Sequence, residues 1–308
     1  MAKDMYQKRR ERKEKAMSND STQQWCQKNI INWYPGHMAK TKREIKEMLN
    51  TIDVVIEVVD ARVPISSHIE DLNSFVNDKI TIIVFNKYDL CDKEKTTELT
   101  KYYENMGYKV IYCNSKDMND YKNIVSYINV LMKTVNEKRS NKGLLAKKPR
   151  VLIVGVPNVG KSTLINRIAG KNMTVTGNKP GVTKNLGVIK TKEFDLIDSP
   201  GILWPKIKDE ETALNLASMN IIKTEVLPID KVAIHILNKL NKDYKNKLKE
   251  NFNIDEIDED IVETYNKISD SKKIAKYDNE TDYDKVSELV INALKNDKIN
   301  GITFDNIK

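Results

Sequence analysis

The run GVPNVGKS at residues 155–162 has the spacing GxxxxGK[ST], and it lies between the apolar stretch VLIV and the apolar-periodic TLINRIAG. A phosphate-binding loop needs that setting. Glycines let backbone N–H groups curl around phosphates, Lys161 reaches the β and γ phosphates, and the Ser162 hydroxyl ligates Mg²⁺ at a helix N-terminus. Asn158, Val159, Gly160, Lys161, Ser162 and Thr163 are therefore the expected phosphate contacts. A second run, NKYD at 86–89, selects the base. The Asp89 carboxylate can accept from both the guanine N1–H and its exocyclic amine, a donor pair adenine lacks, and the wrong base would leave buried polar groups unsatisfied. Asn86 is expected on the other base edge and the Lys87 stem over the ring face. Asn-Lys also occurs at Asn141, Asn178, Asn238, Asn241, Asn246 and Asn266, none with an aspartate three residues on. The sequence CNS at 113–115 supplies Asn114 and Ser115 as a second base-contacting loop. In DSPG at 198–201, Asp198 is placed to hold Mg²⁺ through water and the Gly201 N–H to sense the γ-phosphate. Thr183, within KPGVTKN at 179–185, is the expected switch threonine on Mg²⁺.

These loops need strands before them and helices after them. VVIEVVD (54–60), ITIIVFN (80–86) and KVIYCN (109–114) read as strands separated by polar stretches of helix length, the alternation of a parallel α/β sheet. VLIVG (151–155), GVIKT (187–191) and FDLID (194–198) continue it after a basic connection at 132–150. Beyond Pro205 the pattern turns helical, with one apolar stripe at Ile229, Val232, Ala233, Ile236, Leu237 and Leu240 and another at Val286, Leu289, Val290, Ala293 and Leu294. The expected organisation is a flexible basic tail (1–30), a nucleotide-binding α/β domain (31–205) and a smaller helical domain (206–308).

At 308 residues, with 40% hydrophobic and 31% charged residues, the chain is long enough for at least one core and unlike collagen or a wholly disordered protein. Three cysteines without CxxC spacing, and apolar runs far short of a bilayer span, point to thiols in a reducing cytoplasm and to no membrane partner. The net charge of +8 is uneven: +6 over residues 1–50, +6 over 51–205 and −4 over 206–308. A basic face over the first two thirds suits a polyanion such as RNA. Trp25 and Trp33 read either as a stacking surface for bases or as aromatics buried in a turn, and Lys239, Lys242, Lys245, Lys247 and Lys249 either as a local RNA-binding face in an otherwise acidic domain or as a solvated helix face.

The order of the motifs is unusual, because the base reader precedes the phosphate loop, as in a circularly permuted domain. With WYPGHMAK (33–40), DARVPISS (60–67), GVPNVGKST and DSPGIL, and more weakly NGITF (300–304), the chain resembles the ribosome biogenesis GTPase A family over about residues 31–240. The resemblance implies a circularly permuted Ras-like P-loop GTPase domain followed by a helical domain. It also implies hydrolysis of GTP to GDP, stimulated by the ribosome, and a role with the large ribosomal subunit and its rRNA in late assembly. Asn158 is the position at which similar GTPases bind K⁺. A monomer is expected. Ile202 stands where many GTPases place a water-orienting glutamine, so unaided hydrolysis should be slow. His37, beside a Pro-Gly turn, is the candidate for that water, and the resemblance implies a catalytic role for it. His235, off its apolar stripe, reads as a solvated residue, and His68 as an ordinary one. The alternative reading is a GTP-gated RNA-binding scaffold in which hydrolysis is incidental.

Overall fold

The computed structural model describes residues 36–70, 72–76, 79–114, 117, 119–170, 186–201, 207, 209–222, 227–275 and 280–307, with the backbone alone for 36–39 and 75. The basic tail 1–30, Trp25, Trp33, Ser115, Thr183 and Ile202 lie outside the described residues. The chain divides into two compact units, one of Tyr34–Pro205 with Gly301–Lys308, the other containing Lys206–Asn300. The expected helical domain 206–308 thus stops at Asn300, because Ile302, Thr303, Phe304 and Asp305 are buried and hydrogen-bonded within the sheet unit.

The sheet unit holds six strands: β1 (Val54–Asp60), β2 (Ile80–Asn86), β3 (Lys109–Cys113), β4 (Arg150–Val154), β5 (Gly187–Lys190) and β6 (Asp195–Asp198). Their order is β3-β2-β1-β4-β6-β5, parallel throughout except that β5 pairs antiparallel with β6 at the edge. β1 is buried at every position, which is why it reads as an unbroken apolar run rather than an alternation. The order reverses between β1 and β4, and ligands of open α/β sheets bind at the carboxyl ends of strands at such a switch point. Register aligns the chemistry along that edge: Asp60 pairs with Asn86, Asn86 with Cys113, and Ile153 with Asp198.

Helices α1 (Gly36–Met48), α2 (Leu72–Val76), α3 (Lys93–Asn105), α4 (Asp120–Ser140) and α5 (Lys161–Ala169) cover the sheet. Ile45 of α1 joins Leu49 and Ile52 in one core cluster with Val55, Leu152, Val154 and Ile197. Leu99 and Tyr103 of α3 join another with Val59, Ile83, Phe85 and Val110.

The helical unit contains α6 (Glu210–Ser218), α7 (Ile229–Asp243), α8 (Lys245–Phe252), α9 (Ile261–Ser271) and α10 (Tyr283–Lys295). The stripes expected on α7 and α10 are buried at Val232, Ala233, Ile236, Leu237 and Leu240, and at Val286, Val290, Ala293 and Leu294. Asp209, Asp260 and Asp282 cap α6, α9 and α10 by accepting backbone N–H groups of the first turn. His235 corrects the solvated reading. Its Nε2 lies 2.7 Å from Oδ1 of buried Asn215, and burial, aided by the Lys239 cation, pushes its pKa down to about 4.

His68 is also more than an ordinary surface residue. Glu57, fully buried in the middle of β1, accepts the Ile69 N–H at 2.6 Å and lies 2.8 Å from His68 Nδ1. Burial disfavours the imidazolium, but the Glu57 carboxylate, with Glu70 beyond it, outweighs that effect and raises the His68 pKa above 6.5. The pair's stabilisation is therefore complete below about pH 6.5 and lost as pH rises through the folded value. Urea denaturation of wild type and His68→Ala should show a larger stability difference at about pH 6 than at about pH 9. A difference that does not change with pH would exclude the charged pair.

Candidate functional site

The phosphate loop turns directly off the end of β4. Gly155 passes so close to β1 that an added Cβ would lie 2.4 Å from the Val58 carbonyl oxygen, and its φ of +149° is one that side chains rarely adopt. Glycine is required there for both reasons. The loop runs through Asn158, whose φ is +59°, to Gly160, and Lys161 opens α5 with Ser162 and Thr163 half-buried behind it. Lys161 Nζ donates to the carbonyls of Gly155 at 3.0 Å and Val156 at 2.9 Å. This folds the cation over its own loop.

Asp198, the last residue of β6, faces the same place. Its Oδ1 is buried and has no hydrogen-bond partner among the described residues. Burial raises its pKa to about 6 and lowers that of Lys161 to about 8, each shift partly offset by the attraction between the two charges. A buried carboxylate oxygen without a partner among the described residues, facing Lys161 at the first turn of α5, supplies a hard oxygen of the kind Mg²⁺ takes alongside phosphate. The glycine of DSPG is packed against the loop: a Cβ on Gly201 would meet three atoms of Pro157, two of them backbone, at 2.8–2.9 Å.

The Asn86–Asp89 loop is tied to the phosphate loop directly. Asn86 Nδ2 donates to the Val159 carbonyl at 2.6 Å, and Lys87 Nζ donates to the Asn158 carbonyl at 2.9 Å. Lys87 adopts a φ of +58°, an αL conformation uncommon outside glycine, at the turn that aims its side chain. The same ammonium donates to Asp60 Oδ2 at 2.8 Å, and Arg62 clasps that carboxylate with Nε at 3.0 Å and Nη2 at 2.8 Å. Burial opposes ionisation of Asp60, but these two cations outweigh it and hold its pKa well below the usual carboxylate range. Tyr88 stacks on Tyr112 of β3 with ring centres 4.3 Å apart, and its N–H reaches the Cys113 carbonyl at 3.3 Å. Asp89 is exposed at the tip, and the Asn114 N–H is held by Asp120 Oδ2 at 2.8 Å. Cys91 and Cys113 are buried thiols, Cys91 pushed up to about 11 by desolvation.

The structure thus gathers Asn86, Lys87, Asn158, Val159, Lys161, Asp198 and Gly201 at one edge of the sheet. His37 belongs to α1, with its side chain outside the described residues. Asp60 and Arg62 stand in the DARVPISS run, but motif reading gave neither a role. The available signal was a carboxylate ending a buried strand, which must find partners.

Comparisons with known proteins address the family and the fold. A family model described as 50S ribosome-binding GTPase matches residues 150–292, and one described as RsgA GTPase matches residues 71–208. Ribosome biogenesis GTPase A of Bacillus cereus is 42% identical over 277 residues, covering 90% of this chain and 94% of that protein. The chain belongs to the ribosome biogenesis GTPase A family. The Priestia megaterium protein of the same name is 40% identical, covering 89% of this chain and 96% of its own. The GNP-bound crystal structure of YlqF from T. maritima, at 23% identity, shares the fold with a TM-score of 0.57, covering 87% of this chain and 98% of that one. The fold is the circularly permuted Ras-like one, with β2, which carries the Asn86–Asp89 run, ahead of β4, which leads into the GVPNVGKS loop.

Two outcomes are expected from this geometry. Asp60→Asn removes the carboxylate that two buried or half-buried cations share, and should cost about 3–5 kcal/mol in denaturant unfolding. Gly201→Ala must displace Pro157, and should weaken binding of a GTP analogue at least about tenfold in titration calorimetry, because ångström-scale misplacement of an aligned group is worth up to about a hundredfold.

Proposed function

We propose that this protein binds and hydrolyses GTP and times late maturation of the large ribosomal subunit with that hydrolysis, as a monomer in the cytoplasm. The single observation that carries the reading is the pair of bonds from Asn86 and Lys87 to the carbonyls of Val159 and Asn158, which sets base reader and phosphate loop as one rigid site. In this site Asp89 reads guanine, Asn114 and Ser115 flank the base, and Asn158 to Thr163 cradle the phosphates with Lys161. Ser162, Thr183 and, through water, Asp198 would hold Mg²⁺, which would neutralise charge on the phosphates. Asn158 contributes to a K⁺ site. The Gly201 N–H senses the γ-phosphate. Ile202 cannot orient water, so His37 does, once a partner sets it in place.

The partner is rRNA of the large subunit, and the basic surface of the sheet unit supports that choice. A groove of about 820 Å³ runs between α4 and the β5–β6 hairpin, lined by Lys122, Lys133, Lys190 and Lys192 with Tyr121 and Phe194. The lysine cluster of the helical unit is less available: Lys239 pairs with Asp243, Lys247 with Glu250 and Lys249 with Asp255. No described helix is long and apolar enough to cross a membrane.

GTP turnover in K⁺ buffer, alone and with purified large or small subunits, tests the reading. Stimulation by the large subunit alone, lost in His37→Ala and reduced in Na⁺, is expected. Unchanged stimulation in His37→Ala with altered RNA affinity would favour the nucleotide-gated scaffold instead. Replacing Lys133, Lys190 and Lys192 by Gln should lower the salt slope of binding to large-subunit rRNA by about 2–3, as expected for three lost phosphate contacts.

A further inference from the structure

We propose that Thr303 and Asp305 are positioning residues for guanine recognition: the strap Gly301–Asp305 holds the outer half of the base-reading loop and so fixes the aim of Asp89. The inference rests on the guanine reading of that loop and adds to it the element that orients it.

Two different anchors hold the loop. Its inner half is fixed by Lys87, whose ammonium bridges Asp60 and the phosphate loop. Its outer half, the residues just after Asp89, is held by the strap. The Leu90 carbonyl accepts the Gly301 N–H at 2.8 Å and the Ile302 N–H at 3.3 Å, and the Asp92 N–H donates to Thr303 Oγ1 at 3.2 Å. The Thr303 hydroxyl also lies 3.2 Å from that of Thr96 in the first turn of α3. Asp89 is therefore suspended between Lys87 on one side and a strap-bound Leu90 on the other.

The strap has its own footing, and that footing leads back to the same site. Asp305 Oδ2 accepts the N–H groups of Ile65 at 2.7 Å and Ser66 at 2.8 Å, while Oδ1 accepts the Ser66 hydroxyl at 2.5 Å. The Phe304 N–H donates to the Arg62 carbonyl at 2.7 Å. Arg62 is the residue whose guanidinium clasps Asp60, which in turn holds Lys87. Strap, Arg62, Asp60 and Lys87 close a ring of bonds around the loop, and Ile302, Thr303, Phe304 and Asp305 are all at most 5% exposed. A carboxylate accepting three hydrogen bonds in a buried setting is a strong local tie.

A strap that served stability alone would leave selectivity among bases untouched, which separates the two roles. Inosine diphosphate lacks the exocyclic amine, so the preference for GDP over it reports the second bond to Asp89. Affinities for both nucleotides, by competition against a fluorescent GDP analogue on the full chain, are measured for wild type, Asp305→Ala, Asp305→Asn and Thr303→Val. Asp305→Ala should lose about fivefold of the GDP preference, roughly the worth of one hydrogen bond, and release GDP faster. Asp305→Asn, whose amide oxygen still accepts from Ile65 and Ser66, should keep the preference. Thr303→Val, which removes one hydroxyl, should lose about threefold and covers the case in which Asp305→Ala fails to fold. Unchanged preference in Thr303→Val and in a folded Asp305→Ala overturns the proposal. Asp89→Asn in the otherwise wild-type chain tests the underlying reading separately: its amide should shift preference to xanthosine diphosphate, and an unchanged order of affinities would mean that the loop does not read guanine at all.

Discussion

The Asp60 carboxylate is the point through which the nucleotide site is assembled. It ends a strand buried on both faces, where an unpaired charge would be intolerable, and it is satisfied by Arg62 and Lys87 together. Arg62 turns the chain after β1, and Lys87 carries the base-reading loop to the phosphate loop. Two segments thus share one charge, and through Lys87 a third, the phosphate loop, is tied to them. The net value of such a buried cluster over an apolar replacement is small, but its geometry admits few alternatives. What it supplies here is a fixed relation between the Asn86–Asp89 loop and the GVPNVGKS loop.

Permutation makes that relation necessary. Base reader and phosphate loop are separated by more than 70 residues in the reverse of the usual chain order, and the β1–β4 switch point is where they meet. The charged groups facing the phosphate position are poised rather than paired. Burial presses Lys161 and Asp198 toward neutrality, and each keeps the other from going further. On the proposed reading, a polyphosphate and its cation would add countercharges to both residues and offset their burial.

Much of this was legible in the sequence. The strands were readable because buried parallel strands appear as continuous apolar runs, and β1, β2 and β4 lie within a residue of where those runs stand. The loop residues were readable because their chemistry requires fixed spacing after a strand. Partnerships across long separations were hidden: nothing local tells that Glu57 meets His68, that His235 is half-buried on Asn215, or that the lysines after α7 find acidic partners. The strap is the extreme case. NGITF has an apolar-polar pattern suited to any short extended segment, and only the folded chain places Thr303 on Asp92 and Asp305 on Ser66.

That strap also sets an order in time. Ile65 is bonded to a carboxylate 240 residues further along the chain. At synthesis rates of about 5–20 residues per second, roughly 10–50 s separate the making of the two partners. During that interval β1, β2 and the phosphate loop can collapse around their core, yet the base loop lacks its outer support. Contacts of such high sequence separation are slow to form, since loop closure is paid before any contact rewards it. If the strap holds the loop as proposed, a nascent chain would hold guanine nucleotide poorly until its last helix has been made and the strap has docked.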